Sequence, residues 1–287
     1  MKNILSAIAV LCRMVKIEHS VFALPFAYLG AFVAAGGWPG WQPFALLTIA
    51  MVAVRSFAMA CNRLVDVRYD RENPRTKGRP LVTGEITPVQ TQLFLLATAL
   101  VFVAACAGLN RLCLVLSPAA LALSVLYSYT KRFTWLCHFV LGLVIGLAPA
   151  AGWIAVQPDF AMPAALWSLG VLFWVAGFDL LYACQDVDFD RRMGLYSLPA
   201  AFGIPTTLAV STFSHAVTAI FFLLAGWGAG LGWPYFAAWG LCSALLLWEH
   251  TLVKADDLSR LTLAFFTLNG VISIALFAGA LWSLLQA

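Results

Sequence analysis

The sequence has 287 residues, of which 62% are hydrophobic and 10% are charged, and its mean hydropathy is +0.90. These values exclude an ordinary water-soluble domain and place the chain among integral membrane proteins. The net charge of +4 is not accompanied by an aromatic-interleaved basic stripe, so we expect no nucleic-acid binding.

Residues 1–16 form the first predicted element. They place Ile4, Ile8, Leu11 and Val15 on one stripe of a helix, and no clear small-residue cleavage site follows them. This pattern favours an amphipathic helix in the membrane interface over a cleaved signal peptide.

Nine apolar runs of membrane-spanning length follow in the chain. They lie roughly at 17–36, 42–62, 91–109, 112–129, 136–156, 163–184, 206–229, 232–252 and 261–285. Because the runs do not alternate with period two, they predict helices and not barrel strands. The fold class is therefore all-α, a polytopic membrane protein with nine transmembrane helices.

The basic residues support this count and give an orientation. With nine helices, fifteen of the 17 basic residues fall on one side of the membrane, while Arg111 falls on the other and Arg55 lies within the second helix. The positive-inside rule makes that side cytoplasmic. We expect a protein of the bacterial inner membrane with a cytoplasmic N-terminus.

One acidic phrase, Asp-Val-x-(Tyr/Phe)-Asp-Arg, occurs twice, 120 residues apart. Carboxylates four residues apart lie one turn apart on one side of a helix, so Asp66 with Asp70, and Asp186 with Asp190, can each act on one ligand. Negative charge near a helix C-terminus is unfavourable, which favours a functional origin. Two such pairs facing each other suit a divalent cation and a polyanion such as diphosphate.

The chain is predicted to form a single domain, 1–287, with a cytoplasmic cap loop at 63–90 and a second at 185–205. The repeated phrase also permits a duplicated four-helix unit followed by a ninth helix. Basic side chains in the loop after the second helix, and others directly after the fourth helix, could neutralise a bound anion. The candidates are Arg75, Arg79, Lys131 and Arg132.

The second helix is predicted to line a cavity. Arg55, Asn62, Asp66 and Asp70 share one stripe, with Arg55 about 10 Å deeper than Asn62. Charged side chains inside a membrane span face the bundle interior or a wet cavity. Arg55 therefore either pairs with Glu18 or contacts an acidic group of a substrate.

The sixth helix repeats this arrangement. Asp179 lies within the span, Tyr182 follows nearly a turn later, and Asp186 lies two turns after Asp179 on the same face. Asp188 points to the other side, so we expect it to be solvated or to act only indirectly.

Four motifs resemble signatures of the UbiA superfamily of intramembrane aromatic prenyltransferases, and the resemblance covers nearly the whole chain. Residues 62–70 resemble N-D-x-x-D-x-x-x-D, and residues 73–81 resemble the R-T-x-x-R-P-L segment. Residues 129–134 resemble Y-x-x-x-K-R-x-T, with one fewer residue between Tyr and Lys. Residues 178–197 resemble Y-D-x-x-Y-x-x-x-D-x-x-x-D-x-x-x-G-x-x-S, with Phe178 in place of the first Tyr.

The resemblance implies a UbiA-like bundle that transfers a polyprenyl group from polyprenyl diphosphate to an aromatic acid such as 4-hydroxybenzoate, in ubiquinone or menaquinone synthesis. It implies Mg²⁺ held by Asn62, Asp66, Asp70, Asp186 and Asp190. It further implies diphosphate contacts from Arg75, Arg79, Lys131 and Arg132. Asp179 or Tyr182 would orient or deprotonate the phenol, and Arg55 or Lys16 would hold the carboxylate of the acceptor.

Arg63 departs from the family pattern, because it stands where the first signature usually has Asp. It is expected to contact phosphate or to face solvent. Four histidines and seven cysteines are scattered singly, so we expect helix-end or packed imidazoles and neither a disulfide frame nor a zinc site.

Three alternatives stay open from the sequence. The acceptor could be a hydroxynaphthoate or another UbiA-type acceptor, such as haem or chlorophyll. Intramembrane acids also occur in proton-coupled secondary transporters, although alternating-access sites lie near the midplane and these acids cluster at one face. A non-catalytic scaffold fits two intact acidic pairs least well.

Overall fold

The computed structural model describes residues 4–16, 23–254, 257–258, 260–261 and 267–286. Over these ranges the chain is helical, and its strand-like pairing is confined to one isolated bridge between Lys254 and Asp257. The all-α prediction is confirmed. The chain divides into two compact units, residues 1–20 with 45–129 and residues 21–44 with 130–287, and the prediction of a single domain stays a prediction.

Fourteen α-helices are described. In chain order they are α1 (Ile4–Val15), α2 (Leu24–Ala35), α3 (Trp41–Glu72), α4 (Pro80–Thr83), α5 (Pro88–Leu109), α6 (Arg111–Thr130), α7 (Cys137–Gly146), α8 (Ala148–Val156), α9 (Met162–Ala183), α10 (Val187–Met193), α11 (Leu198–Phe202), α12 (Ile204–Gly228), α13 (Trp233–Leu252) and α14 (Asn269–Gln286). A 3₁₀ turn, Cys184–Asp186, joins α9 to α10.

Seven helical segments of the described chain are long and apolar enough to cross a membrane, by length and composition. They are Trp41–Glu72, Pro88–Leu109, Arg111–Thr130, Cys137–Val156, Met162–Met193, Ile204–Gly228 and Asn269–Gln286. Helix α2 is apolar but has 12 residues, and residues 17–22 lie outside the described ranges. The chain is a polytopic membrane protein, and the count of nine spans stays a prediction.

Helix α3 continues ten residues beyond the apolar run that predicted it, so residues 63–72 are helical and not part of a cap loop. Hydropathy falls after position 62, but no residue between 63 and 72 interrupts the backbone hydrogen bonding of the helix. The helix ends immediately before Asn73-Pro74, because a proline disfavours helical geometry at the residue before it. The second predicted loop, 185–205, likewise contains α10 and α11.

Two clusters hold the first unit together. Ala50 and Ala53 of α3 pack with Phe102, Ala105 and Cys106 of α5. The end of α1 packs through Met14 and Val15 against Ala60 of α3, Leu81 of α4 and Ile86. The amphipathic stripe of α1 is therefore buried in protein at Val15.

Helix α9 is the centre of the second unit, where it packs against α7 and α12. Small residues allow the backbones to approach closely, as in many membrane helix pairs. At the α2–α8 crossing, a methyl group added to Gly152 would overlap the carbonyl of Ala27. The packing of α9 against α7 and α12 positions the helix that carries Asp179.

Candidate functional site

The first acidic motif lies on one continuous helix, so its residues keep the angular spacing predicted from the sequence. The Asn62 Nδ2 group donates to Asp66 Oδ2 at 2.9 Å, across one turn of α3. The predicted stripe of Asn62, Asp66 and Asp70 is thus present on α3.

Asp70 lies near the C-terminus of α3 and is buried. The Arg79 Nη1 group donates to both of its oxygens, at 2.5 and 2.6 Å. The Thr76 hydroxyl donates to the Asp70 carbonyl at 3.1 Å, which folds the loop back onto the end of the helix. A cation beside Asp70 offsets the unfavourable position of an acid at a helix C-terminus. Arg79, predicted to bind diphosphate, here binds the acid.

Arg63 is buried, with 7% of its surface exposed, so the expectation that it could face solvent is wrong. Its Nη1 group donates to Asn62 Oδ1 at 3.2 Å. A helical wheel gives the direction of a side chain but not the depth of the protein around it, which explains the error. Arg63 therefore fixes the Asn62 amide, whose other end holds Asp66.

The remaining predicted residues of the first unit differ in exposure. Arg55 and Lys16 are half-buried, whereas Arg75 is exposed on the loop after α3. The Arg75 backbone N–H donates to Asn73 Oδ1 at 2.9 Å. Glu18, the alternative partner of Arg55, lies outside the described residues.

The second acidic motif does not lie on a continuous α-helix. Helix α9 ends at Ala183, the 3₁₀ turn carries Asp186, and Asp190 belongs to the first turn of α10. The prediction that Asp179 and Asp186 lie on one unbroken α-helix is wrong beyond Ala183. Asp188 is exposed, as expected.

Asp190 is fully buried and has two partners from elsewhere in the chain. Lys131 Nζ lies 2.9 Å from its Oδ1, and the Ser197 hydroxyl donates to its Oδ2 at 2.7 Å. Gly194 ends α10 at a φ of 65°, a left-handed conformation that suits glycine, and so turns the chain back. The Tyr196 N–H then reaches the Lys131 carbonyl at 2.7 Å.

Lys131 is held in its charged form. Burial lowers its pKa, but the carboxylate of Asp190, in contact with the ammonium group, and that of Asp186 outweigh burial, so the pKa is raised above its usual value of 10.5. The second motif thus has a permanent cation beside it at neutral pH.

Asp179 is paired with a histidine that the sequence did not single out. His138 Nδ1 lies 2.7 Å from Asp179 Oδ2, and His138 Nε2 accepts from the Leu198 N–H at 3.4 Å. Tyr182, the other candidate to act on a phenol, is half-buried on the same helix. The sequence signal for His138 was a lone polar residue in the apolar run of α7.

Among the described histidines, His138 and His215 are buried and His250 is half-buried, but none of the three is isolated. His19 lies outside the described residues. His215 Nδ1 lies 2.9 Å from His250 Nε2, and the fully buried Glu249 lies 3.8 Å from His215. Asn269 donates to Glu249 at 3.3 Å. These residues come from α12, α13 and α14, so they are brought into contact only by the packing of the three helices.

The oxygen donors of the two motifs fit a hard divalent cation by their chemistry. Each motif offers two carboxylates, and the first adds the Asn62 amide. Among the described residues, no group of three or more His, Cys, Asp or Glu side chains is gathered as a metal site. Instead, Arg79 and Lys131 each hold one acid of a pair.

The chain is similar to known proteins over most of its length. The model of the UbiA prenyltransferase family matches residues 23–282. The 4-hydroxybenzoate octaprenyltransferase of Herminiimonas arsenicoxydans is 32% identical over 250 residues, which cover 86% of this chain and 87% of that protein. The protein of the same name from Cupriavidus metallidurans is 29% identical over 96% of this chain and 94% of its own length.

Solved structures agree with this match. The apo structure of a UbiA homolog from Aeropyrum pernix K1 has a TM-score of 0.83 and 33% identity, covering 92% of this chain and 97% of that one. A UbiA homolog from Archaeoglobus fulgidus bound to GPP and Mg²⁺ has a TM-score of 0.70 over 97% of this chain and all of its own. Its identity of 20% makes it evidence for the fold alone.

Proposed function

Since the chain belongs to the UbiA prenyltransferase family, and is a membrane prenyltransferase acting on an aromatic acceptor, we propose 4-hydroxybenzoate as that acceptor and a polyprenyl diphosphate as the donor. The reaction is Mg²⁺-dependent and serves quinone biosynthesis. The observation that carries the proposal is the pair of acidic motifs, each with a basic side chain on its last aspartate. The choice of acceptor rests on the relatives that carry its name.

Asp66, Asp70, Asp186 and Asp190, with the Asn62 amide, are the side chains that would hold Mg²⁺. When bound, Mg²⁺ neutralises diphosphate oxygens that carboxylates alone would repel. Arg79 and Lys131 already lie within contact of the acids, and Arg75 and Arg132 add charge in the same two loops. These cations stabilise the leaving diphosphate as the allylic C–O bond breaks.

Two further tasks concern the aromatic acceptor, whose carboxylate must be bound and whose phenol must be deprotonated. Arg55 or Lys16 binds its carboxylate, because both are half-buried cations. Asp179 or Tyr182 orients the phenol and accepts its proton. The ring carbon ortho to the phenol oxygen then forms the new bond to the allylic carbon, which has released diphosphate. The hydrogen on that ring carbon leaves as a proton, which restores the aromatic ring. We place the acidic motifs at the cytoplasmic face of the bacterial inner membrane, on the distribution of basic residues.

The test is a prenylation assay in membranes that contain the protein, with a polyprenyl diphosphate donor and product mass as the readout. We expect prenylated 4-hydroxybenzoate with Mg²⁺ and none with EDTA, and little product from hydroxynaphthoates. Asp66→Ala should abolish turnover and leave the protein folded. Near-normal activity of that variant would refute the magnesium assignment, and a naphthoate product would refute the acceptor.

A further inference from the structure

The contact between His138 and Asp179 joins two helices of the second unit. His138 is the second residue of α7 and is 3% exposed, while Asp179 lies in α9 with 25% of its side chain exposed. The short contact uses Asp179 Oδ2. The carboxylate is therefore bonded through Oδ2, while a quarter of the side chain remains accessible.

The surroundings of the imidazole define its tautomer. The backbone N–H of Leu198 can only donate, so His138 Nε2 must be the acceptor in that 3.4 Å contact. The ring proton then resides on Nδ1, which donates it to Asp179. Both ring nitrogens are thus engaged, and neither lies open to a substrate.

We infer that His138 is a positioning residue, which holds the Asp179 carboxylate so that its accessible side takes the phenolic proton of the acceptor. This inference rests on the proposed function. The proton passes from the phenol oxygen to the carboxylate, the phenolate retains the electron pair, and His138 keeps its own proton. The assignment also favours Asp179 over Tyr182 as the proton acceptor.

Two amide variants separate positioning from packing. In His138→Asn the side-chain NH₂ occupies the place of Nδ1 and can still donate to Asp179. In His138→Gln the amide reaches the place of Nε2, so it can meet Leu198 but not Asp179. We expect His138→Asn to retain most of kcat. We expect His138→Gln to lower kcat by a factor on the order of 10 to 100, with KM for the polyprenyl diphosphate unchanged. Equal loss in both variants would overturn the inference.

A double-mutant cycle closes the test. If His138 acts only through Asp179, His138→Gln lowers kcat no further in an Asp179→Ala background, whereas multiplied losses would show an independent role. Failure of the proposed function is distinguishable, because wild type itself would then give no prenylated product. In that case the same four proteins are compared by thermal unfolding. Non-additive shifts in Tm support the pairing, and additive shifts overturn it.

Discussion

The two acidic motifs share a sequence but are stabilised in different ways. The first lies at the C-terminus of a continuous 32-residue helix, and its polar partners come from within nine residues of it. The second begins at a 3₁₀ turn, and Asp190 lies in the first turn of α10, where the helix dipole favours an acid. Its cation, Lys131, comes from 59 residues earlier in the chain. Similar phrases therefore do not imply similar local structure.

The largest expected effect is a loss of activity when the last aspartate of either motif is replaced. The two motifs should differ in the accompanying loss of stability. Asp70→Asn and Asp190→Asn should each reduce prenylation by at least about 10²-fold, because each removes a charge that would bind metal and diphosphate. Asp190→Asn should also lower Tm more, because Asp190 is fully buried and joins Lys131 to Ser197. Product mass and thermal unfolding in detergent measure the two effects. The exposed Asp188→Asn is the control, and damage equal to that of Asp190→Asn would contradict the comparison.

Substitution of Arg63 is expected to give the next largest loss of activity. The first motif contains this buried arginine, whereas the arginines of the second motif are exposed. Arg63→Met removes the hydrogen bond to Asn62 and should reduce turnover about tenfold, the typical size of a charge-assisted bond. Arg68→Met, on the exposed side of the same helix, is the matched control. Initial rates at saturating donor give the ratio. If the two variants are equally active, Arg63 does not support the motif.

A hydroxyl group holds the last aspartate of each motif, which allows a direct comparison. Ser197→Ala should cost about 1–2 kcal/mol, because Ser197 bonds the Asp190 side chain and caps α11. Thr76→Val should cost about 1 kcal/mol, because its bond is to the Asp70 backbone. Unfolding by a mixed-detergent titration measures both. A larger cost for Thr76→Val would reverse the ranking.

The smallest effect is a pH dependence confined to the second motif. The pKa of Lys131 is raised above 10.5 in the folded protein, so its contribution to stability is fully present below pH 10.5 and is lost as pH rises through the higher folded-state value. The difference in Tm between wild type and Lys131→Met should therefore be constant from about pH 7 to 10 and shrink above that. A difference that already vanishes by pH 8 would exclude the ion pair.

The sequence predicted the first motif well because one regular helix relates all its residues. From Arg55 to Asp70, the backbone is helical without a break, so angle and rise follow from residue number. The second motif could be predicted less completely, because the 3₁₀ turn changes the angle between Asp179 and Asp186. Hydropathy located the seven candidate spans of the described chain but not the end of α3. Hydropathy reports which residues can face lipid, whereas the end of a helix depends on backbone hydrogen bonding.

Contacts between segments far apart in the chain could not be predicted from the sequence. His138 and Asp179 are 41 residues apart, and His215 and His250 are 35 residues apart. Periodicity relates residues within one helix, whereas these pairs depend on how helices cross. The burial of Arg63 escaped for the same reason.

The length of α3 has a kinetic consequence. Its 32 residues extend about 48 Å, whereas the hydrocarbon layer is about 30 Å thick. Because the apolar run ends near residue 62, we expect the charged turns after it to lie beyond the lipid tails. On the proposed function, a diphosphate bound at Asp66 and Asp70 would be in contact with water while its isoprenoid tail stays in the leaflet. The donor would then arrive by lateral diffusion in two dimensions. Its effective concentration is a mole fraction in the membrane, and diluting the vesicles with inert lipid should slow turnover even when the bulk donor concentration is unchanged.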